Sequence, residues 1–156
     1  MVREIEFRPA TQADAVYIAD HLRRDDCLEA EATGVKNLRF AVELSRSCSD
    51  FAWVALSDGV PALIFGVSVP LMGTEGEIWA LGTDVCTASP REMLFYGRKK
   101  IRELLELCPE YGNYCDARYD AAHRWLKKLG FQVSPPEPRG PRGKLFCKIY
   151  IRREQN

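Results

Sequence analysis

The chain has no surplus of charge: Lys plus Arg and Asp plus Glu number 22 each. No global field therefore recruits nucleic acid or an anionic membrane, and neither is expected as a partner. No apolar run approaches the roughly 20 residues that span a bilayer. The opening Met-Val-Arg-Glu-Ile-Glu-Phe is too charged for a signal peptide, so the protein is expected to stay in the cytoplasm. Histidine is scarce, with only His21 and His123, and the six cysteines, Cys27, Cys48, Cys86, Cys108, Cys115 and Cys147, contain no CxxC pair. A zinc site needs four convergent ligands that this spacing does not suggest, so no metal is expected. Without secretion a disulfide framework is equally unexpected, and the thiols read as small core residues. Internal repeats and low-complexity tracts are missing too.

The remainder is ordinary globular material, with 46% apolar and 28% charged residues over 156 positions, enough for one domain spanning 1–156 with a substantial core. Glu4 to Arg8 alternates polar and apolar residues as a half-buried strand does. Thr11, three residues before Asp14, reads as the N-cap of a helix whose face is Ala15, Ile18, Ala19 and Leu22. Arg23 to Glu31 interrupts the helical pattern, which resumes at Leu38, Ala41, Val42 and Ser45. Three strands follow, Phe51–Leu56, Ala62–Val69 and Glu77–Val85, the first two joined by an Asp58-Gly59 hairpin turn. Ser89-Pro90-Arg91-Glu92 writes a helix start with a capping-box acid, and Pro109 stops that helix. After a short strand at Asn113–Ala117 comes a helix from Asp120 to Leu129, closed by Gly130 as left-handed terminator. A short strand at Phe131-Gln132-Val133 and a Pro- and Gly-rich loop (Ser134 to Gly143) then lead to a last strand, Lys144–Arg152. The order βααβββαβαββ predicts an α/β sheet with helices on both faces.

That order, with "IEFRPATQADA" at the start and "AAHRWLKKLGF" near the end, resembles the GNAT (GCN5-related N-acyltransferase) superfamily. The resemblance implies a mixed, mostly antiparallel sheet, an acyl-CoA donor (acetyl-CoA or CoA as cofactor) and an amine acceptor. It places the donor on an open edge of the fourth strand near Leu81, Gly82 and Thr83, where Gly82 suits a bulge or a close ligand approach. It also places the CoA pyrophosphate at the next helix start, where Ser89 and Arg91 are the candidate anion contacts. Glu77 and Asp84 at the ends of that strand, and His123 on the polar side of its helix, are the candidate bases. For each the commoner role is a solvated surface group.

Two departures weaken that carry-over. The family's glycine-rich phosphate loop corresponds to Cys86-Thr87-Ala88-Ser89-Pro90-Arg91-Glu92-Met93, which holds no glycine. The family's catalytic Tyr falls on Leu126. A narrower stretch, "YGNYCDARYDAAHRWLKKLGF" with "PEPRGPRGKLFCKIYIRR", is similar to a GNAT-like family of tailed phages and prophages labelled internal virion proteins or acetyltransferases. It implies a virion-associated alternative, in which an inactive scaffold serves assembly or binds phage or host proteins and its cleft is filled by side chains such as Met93 or Phe95.

Overall fold

A computed structural model describes residues 2–154. Its elements are β1 (Ile5–Pro9), α1 (Gln12–Asp20), α2 (Arg24–Ala32), α3 (Leu38–Cys48), β2 (Phe51–Ser57), β3 (Val60–Ser68), β4 (Glu75–Gly82) and α4 (Asp84–Thr87). They continue with α5 (Pro90–Leu107), β5 (Glu110–Asp116), α6 (Asp120–Leu129), β6 (Gln132–Val133), β7 (Glu137–Arg139) and β8 (Lys144–Arg152). The strands form one sheet in the order β1-β2-β3-β4-β5-β8-β6, with β7 also on β8. Every pairing is antiparallel except β4–β5.

Local chemistry accounts for the frame. Thr11 and Asp14 form a reciprocal capping box at α1, and Arg8 clamps Asp14 at 2.6 and 3.0 Å. Asp58 and Gly59, at φ 49° and 81°, close the β2–β3 hairpin, and Gly130 at φ 108° ends α6. Gly59 has open space around it, so its positive φ rather than crowding favours glycine there. One face of the sheet buries Ile64 with Ala15, Ile18, Ala19 and Val42 of α1 and α3, Trp79 and Leu81 packing at the margin. The opposite face buries Phe65, Ile78, Tyr111 and Ile149 with Met93 and Leu104 of α5 and Leu129 of α6. Truncating a fully buried member such as Leu104 to Ala should cost about 2–5 kcal/mol.

Three features depart from the sequence expectation. Residues 24–32, where the apolar period breaks, are helical: α2 buries a carboxylate, Asp26, together with the small Ala32, so no apolar stripe marks it. The capping box expected at Ser89 does not form. Ser89 occupies the N-cap position, yet its hydroxyl meets Ser57 Oγ at 3.1 Å, and Glu92 accepts instead from the Arg3 N–H. Finally, β4 runs in unbroken register with β3 up to Gly82, and the bulge lies in β2 at Ala55/Leu56.

Candidate active cleft

The parallel strands β4 and β5 pair only at Glu75–Glu110, Gly76–Tyr111 and Glu77–Gly112, then diverge. Each backbone N–H and C=O along the divergence needs a new partner, because an unpaired buried peptide group is costly. Asn113 clips the apex: its Nδ2 donates to Ile78 O at 2.6 Å, and its Oδ1 accepts from the Tyr114 N–H at 2.7 Å. Helix α2 and the turn before it serve the wider end. On the β4 side, Asp26 accepts from the Gly82 N–H at 2.7 Å, and the Arg23 N–H donates to Gly82 O at 3.0 Å. On the β5 side, Glu29 Oε2 accepts from the Asp116 N–H at 3.3 Å and from the Cys115 thiol at 3.7 Å. Between these ends the exposed Ala80 remains as open strand edge.

The gap opens into a cleft of about 790 Å³. Trp79, Leu81, Leu44 and Tyr114 line it on the α3 side, and Phe65, Lys100, Met93 and Trp125 on the α5–α6 side. Six charged side chains reach it: Arg23, Asp26, Glu29, Glu77, Lys100 and Arg139. Four of them are committed inside the fold. Arg23 and Asp26 pair at 2.9 Å. Lys100 pairs with Glu103 at 3.2 Å and sits 4.1 Å from the Trp53 ring centre. Arg139 stacks 3.4 Å from the Tyr114 ring centre and lies 4.0 Å from Glu137, its counter-ion. Among the described residues Glu29 and Glu77 have no cationic partner, so the uncompensated charge of the cleft is negative.

Burial gives Glu29 its chemistry. Desolvation, reinforced by repulsion from Asp26 and Asp116, pushes its carboxyl from 4.5 up to about 7, against the pull of the Asp116 N–H. Both donors meet Oε2, so Oε1 is left to accept from a ligand. A carboxyl that titrates near neutrality inside a cleft is matched to proton transfer at physiological pH. Arg23 behaves differently: burial opposes its charge, but Asp26 beside it more than compensates and holds it a cation.

Of the residues singled out from the sequence, Glu77 and Leu81 line the cleft. Gly82 lies at its edge, with both peptide groups engaged by Arg23 and Asp26. A Cβ added there would meet the Arg23 guanidinium carbon at 2.9 Å, so the close approach is made by this chain's own arginine. Thr83 is buried, its hydroxyl donating to Pro61 O at 3.0 Å and accepting from the Val85 N–H at 3.3 Å. Ser89 is buried against Ser57, while Asp84 and Arg91 point to solvent away from the cleft. The structure does not bring His123 to the cleft either, and its Nε2 is buried without a hydrogen-bond partner. Met93 lines the cleft without filling it, and Phe95 is 60% exposed on the outer face of α5. The residues that sequence reasoning passed over are Arg23, Asp26 and Glu29, whose i, i+3 repetition was visible, together with Asn113.

The nucleotide end of a CoA donor finds no glycine cradle here, only the α5 start with the exposed Arg91. Helix α5 starts at Pro90, which has no N–H, its preceding hydroxyl is tied to Ser57, and the connection from β4 is a turn of helix without glycine. The cleft itself and the Ala80 edge have room for a smaller, extended group.

No protein-family model matches the chain, and no curated protein matches it in sequence. Solved structures do match its fold. The protein yncA of Salmonella typhimurium, assigned as an acetyltransferase and solved with its cofactor acetyl-CoA, aligns with TM-score 0.68 and 12% identity over 97% of this chain and 95% of that one. A chimera of the spermidine N-acetyltransferase SpeG from Vibrio cholerae and hSSAT aligns with TM-score 0.66 and 10% identity over 95% of each chain. A GNAT-family acetyltransferase of Streptococcus pneumoniae aligns with TM-score 0.55 and 13% identity over 96% and 99%. The chain therefore has the GNAT fold, a mixed, mostly antiparallel sheet between helices.

Proposed function

We propose that the protein is an N-acyltransferase whose cleft binds a primary amine and whose Glu29 removes the amine's proton before acylation. The observation that carries this reading is the splayed β4–β5 pair with a half-buried carboxyl at its mouth in a cleft whose unpaired charges are both acidic. An ammonium entering the cleft is drawn to Glu29 Oε1. Oε2 is held by the Asp116 N–H and the Cys115 thiol, so the carboxylate is oriented before the ligand arrives. Above about pH 7 the carboxylate can accept the proton, leaving the neutral amine as nucleophile. The apolar walls, Trp79, Leu81 and Trp125, exclude water that would otherwise hydrate the amine.

Acetyl-CoA is the donor to test first, because the yncA neighbour was solved with it. Such a thioester supplies an activated acyl carbon, and this chain offers its extended arm the Ala80 edge but offers its nucleotide no glycine cradle. Thiol release from acetyl-CoA, measured with a panel of primary amines, should appear and should rise through about pH 7. Absence of release with every amine, together with no binding heat at millimolar acetyl-CoA, rejects the reading. One observation favours a second reading, a non-catalytic scaffold of the phage type used for assembly or host-protein binding. Gly82, the edge position expected to meet a donor, already has both peptide groups satisfied by Arg23 and Asp26. Density for CoA in the cleft of a co-crystal would exclude that alternative.

A further inference from the structure

The two unpaired carboxylates are not neighbours. Glu77 lies where β4 leaves β5, opposite Gly112, whereas Glu29 binds the backbone at Asp116. Four residues of β5 separate those anchor points, roughly 13 Å at about 3.3 Å per residue. Side chains alternate across a strand, so Glu77, Trp79 and Leu81 share the face of β4 turned to α3. Tyr114 of β5 lines the same cleft between the two acids. No cation of the described chain reaches either acid, although Arg23, Lys100 and Arg139 all line the cleft and are all paired or stacked elsewhere. The cleft is therefore built with one acid at each end and an apolar, aromatic floor between them.

Resting on the acyltransferase reading above, we propose that the acceptor is an amine carrying a second cationic group at the far end of an extended, apolar spacer. The reacting amine lies at Glu29 and the distal ammonium at Glu77. Glu77 is then a specificity residue: it holds the end that does not react, while Trp79 and Leu81 take the methylenes between. A short diamine cannot reach both acids, and a monoamine leaves Glu77 unmatched.

The test compares octamethylenediamine, octylamine and trimethylenediamine as acceptors with acetyl-CoA, in wild type and Glu77→Gln. In parallel, calorimetry measures binding of each amine alone to the full chain. The wild type should prefer octamethylenediamine over octylamine by about three- to fivefold in kcat/KM, the upper value of one exposed charge pair. Glu77→Gln should reduce that ratio to about one through KM, and trimethylenediamine should behave as a monoamine. Equal use of the long diamine and octylamine by wild type overturns the proposal while leaving acyl transfer intact. A ratio that survives Glu77→Gln overturns it as well. Turnover of none of the amines, with octamethylenediamine still bound more tightly than octylamine in a Glu77-dependent way, supports the dication site and rejects the transfer chemistry.

Discussion

Replacing Glu29 by Gln should make the protein more stable at alkaline pH while removing its proposed base. The folded carboxyl titrates at about 7 instead of 4.5 because desolvation disfavours its charge. Below pH 4.5 both folded and unfolded chains carry the proton, and the nearly isosteric amide should change little. As pH rises from 4.5 towards 7 the unfolded chain ionises while the folded chain stays protonated, so wild-type stability falls. Above 7 the folded carboxyl is charged and the loss is complete. At about 1.4 kcal/mol per pH unit the rise corresponds to roughly 3 kcal/mol as a ceiling. The side chain keeps some solvent access at the cleft, which reduces the expected gain to about 1–2 kcal/mol. Urea titrations near pH 4 and pH 8.5 read this directly, with a Tm difference of about 2–4 °C per kcal/mol at this chain length. The amide's oxygen can still accept from the Asp116 N–H, and its new NH2 takes the place of Oε1 at the cleft, so the backbone donor is not orphaned. Equal stability differences at the two pH values, or a loss confined to high pH, would refute the burial argument and, with it, Glu29 as a neutral-range base.

Three further substitutions probe the frame of the cleft. Gly82→Ala places a Cβ 2.9 Å from the Arg23 guanidinium carbon, displacing a side chain that pairs with Asp26; a loss of about 1–3 kcal/mol is expected in denaturant titration. Asn113→Ala removes both hydrogen bonds at the apex of the divergence, so amide exchange at Tyr114 should accelerate and stability should fall by about 1–3 kcal/mol. Thr11→Ala removes the α1 cap and should cost about 1 kcal/mol, seen as a lower urea midpoint at unchanged m-value. Since Asp14 also accepts from Arg8 and from the Thr11 N–H, that loss should stay below the sum of the isolated bonds.

Where chemistry is local, the sequence could be read closely. The Thr11 cap, the Asp58-Gly59 hairpin and the Gly130 terminator each depend on residues within one turn of the chain, and each forms as expected. The Ser89 box failed for a tertiary reason: a hydroxyl 32 positions away in β2 offered a partner inside the core. Helix α2 escaped notice because amphipathic period assumes apolar residues inside, and here the inward residues are Asp26 and an acid that binds a strand end. Of the expected site residues, Glu77 and Leu81 reach the cleft because they lie on the diverging strand itself. His123 could not be placed from helical period alone, since one position along, Ala122 faces the cleft and His123 does not.

The backbone accounting at the divergence also explains why a helix with so little apolar character is retained there. Splitting a parallel pair frees peptide groups that water, a ligand or the chain must satisfy. At the β4 end the chain satisfies Gly82 fully: Asp26 and the Arg23 N–H take both of its peptide groups, and the Arg23 side chain neutralises Asp26. At Gly82, therefore, no charge or hydrogen-bonding capacity is left over, and the open edge begins at Ala80. On the β5 side the same helix supplies Glu29 without a counter-ion, using one oxygen and leaving the other. The asymmetry keeps a half-buried carboxyl uncompensated, which lowers stability at neutral pH and has no packing advantage over a glutamine. Burial also pushes the Asp26 carboxyl up, but Asp26 has Arg23 as counter-ion, so Glu29 is the α2 acid that suits the proton-accepting role proposed above. On the acyltransferase proposal, an extended ligand would pair with the strand edge at Ala80 rather than Gly82, with its reactive end beside Glu29.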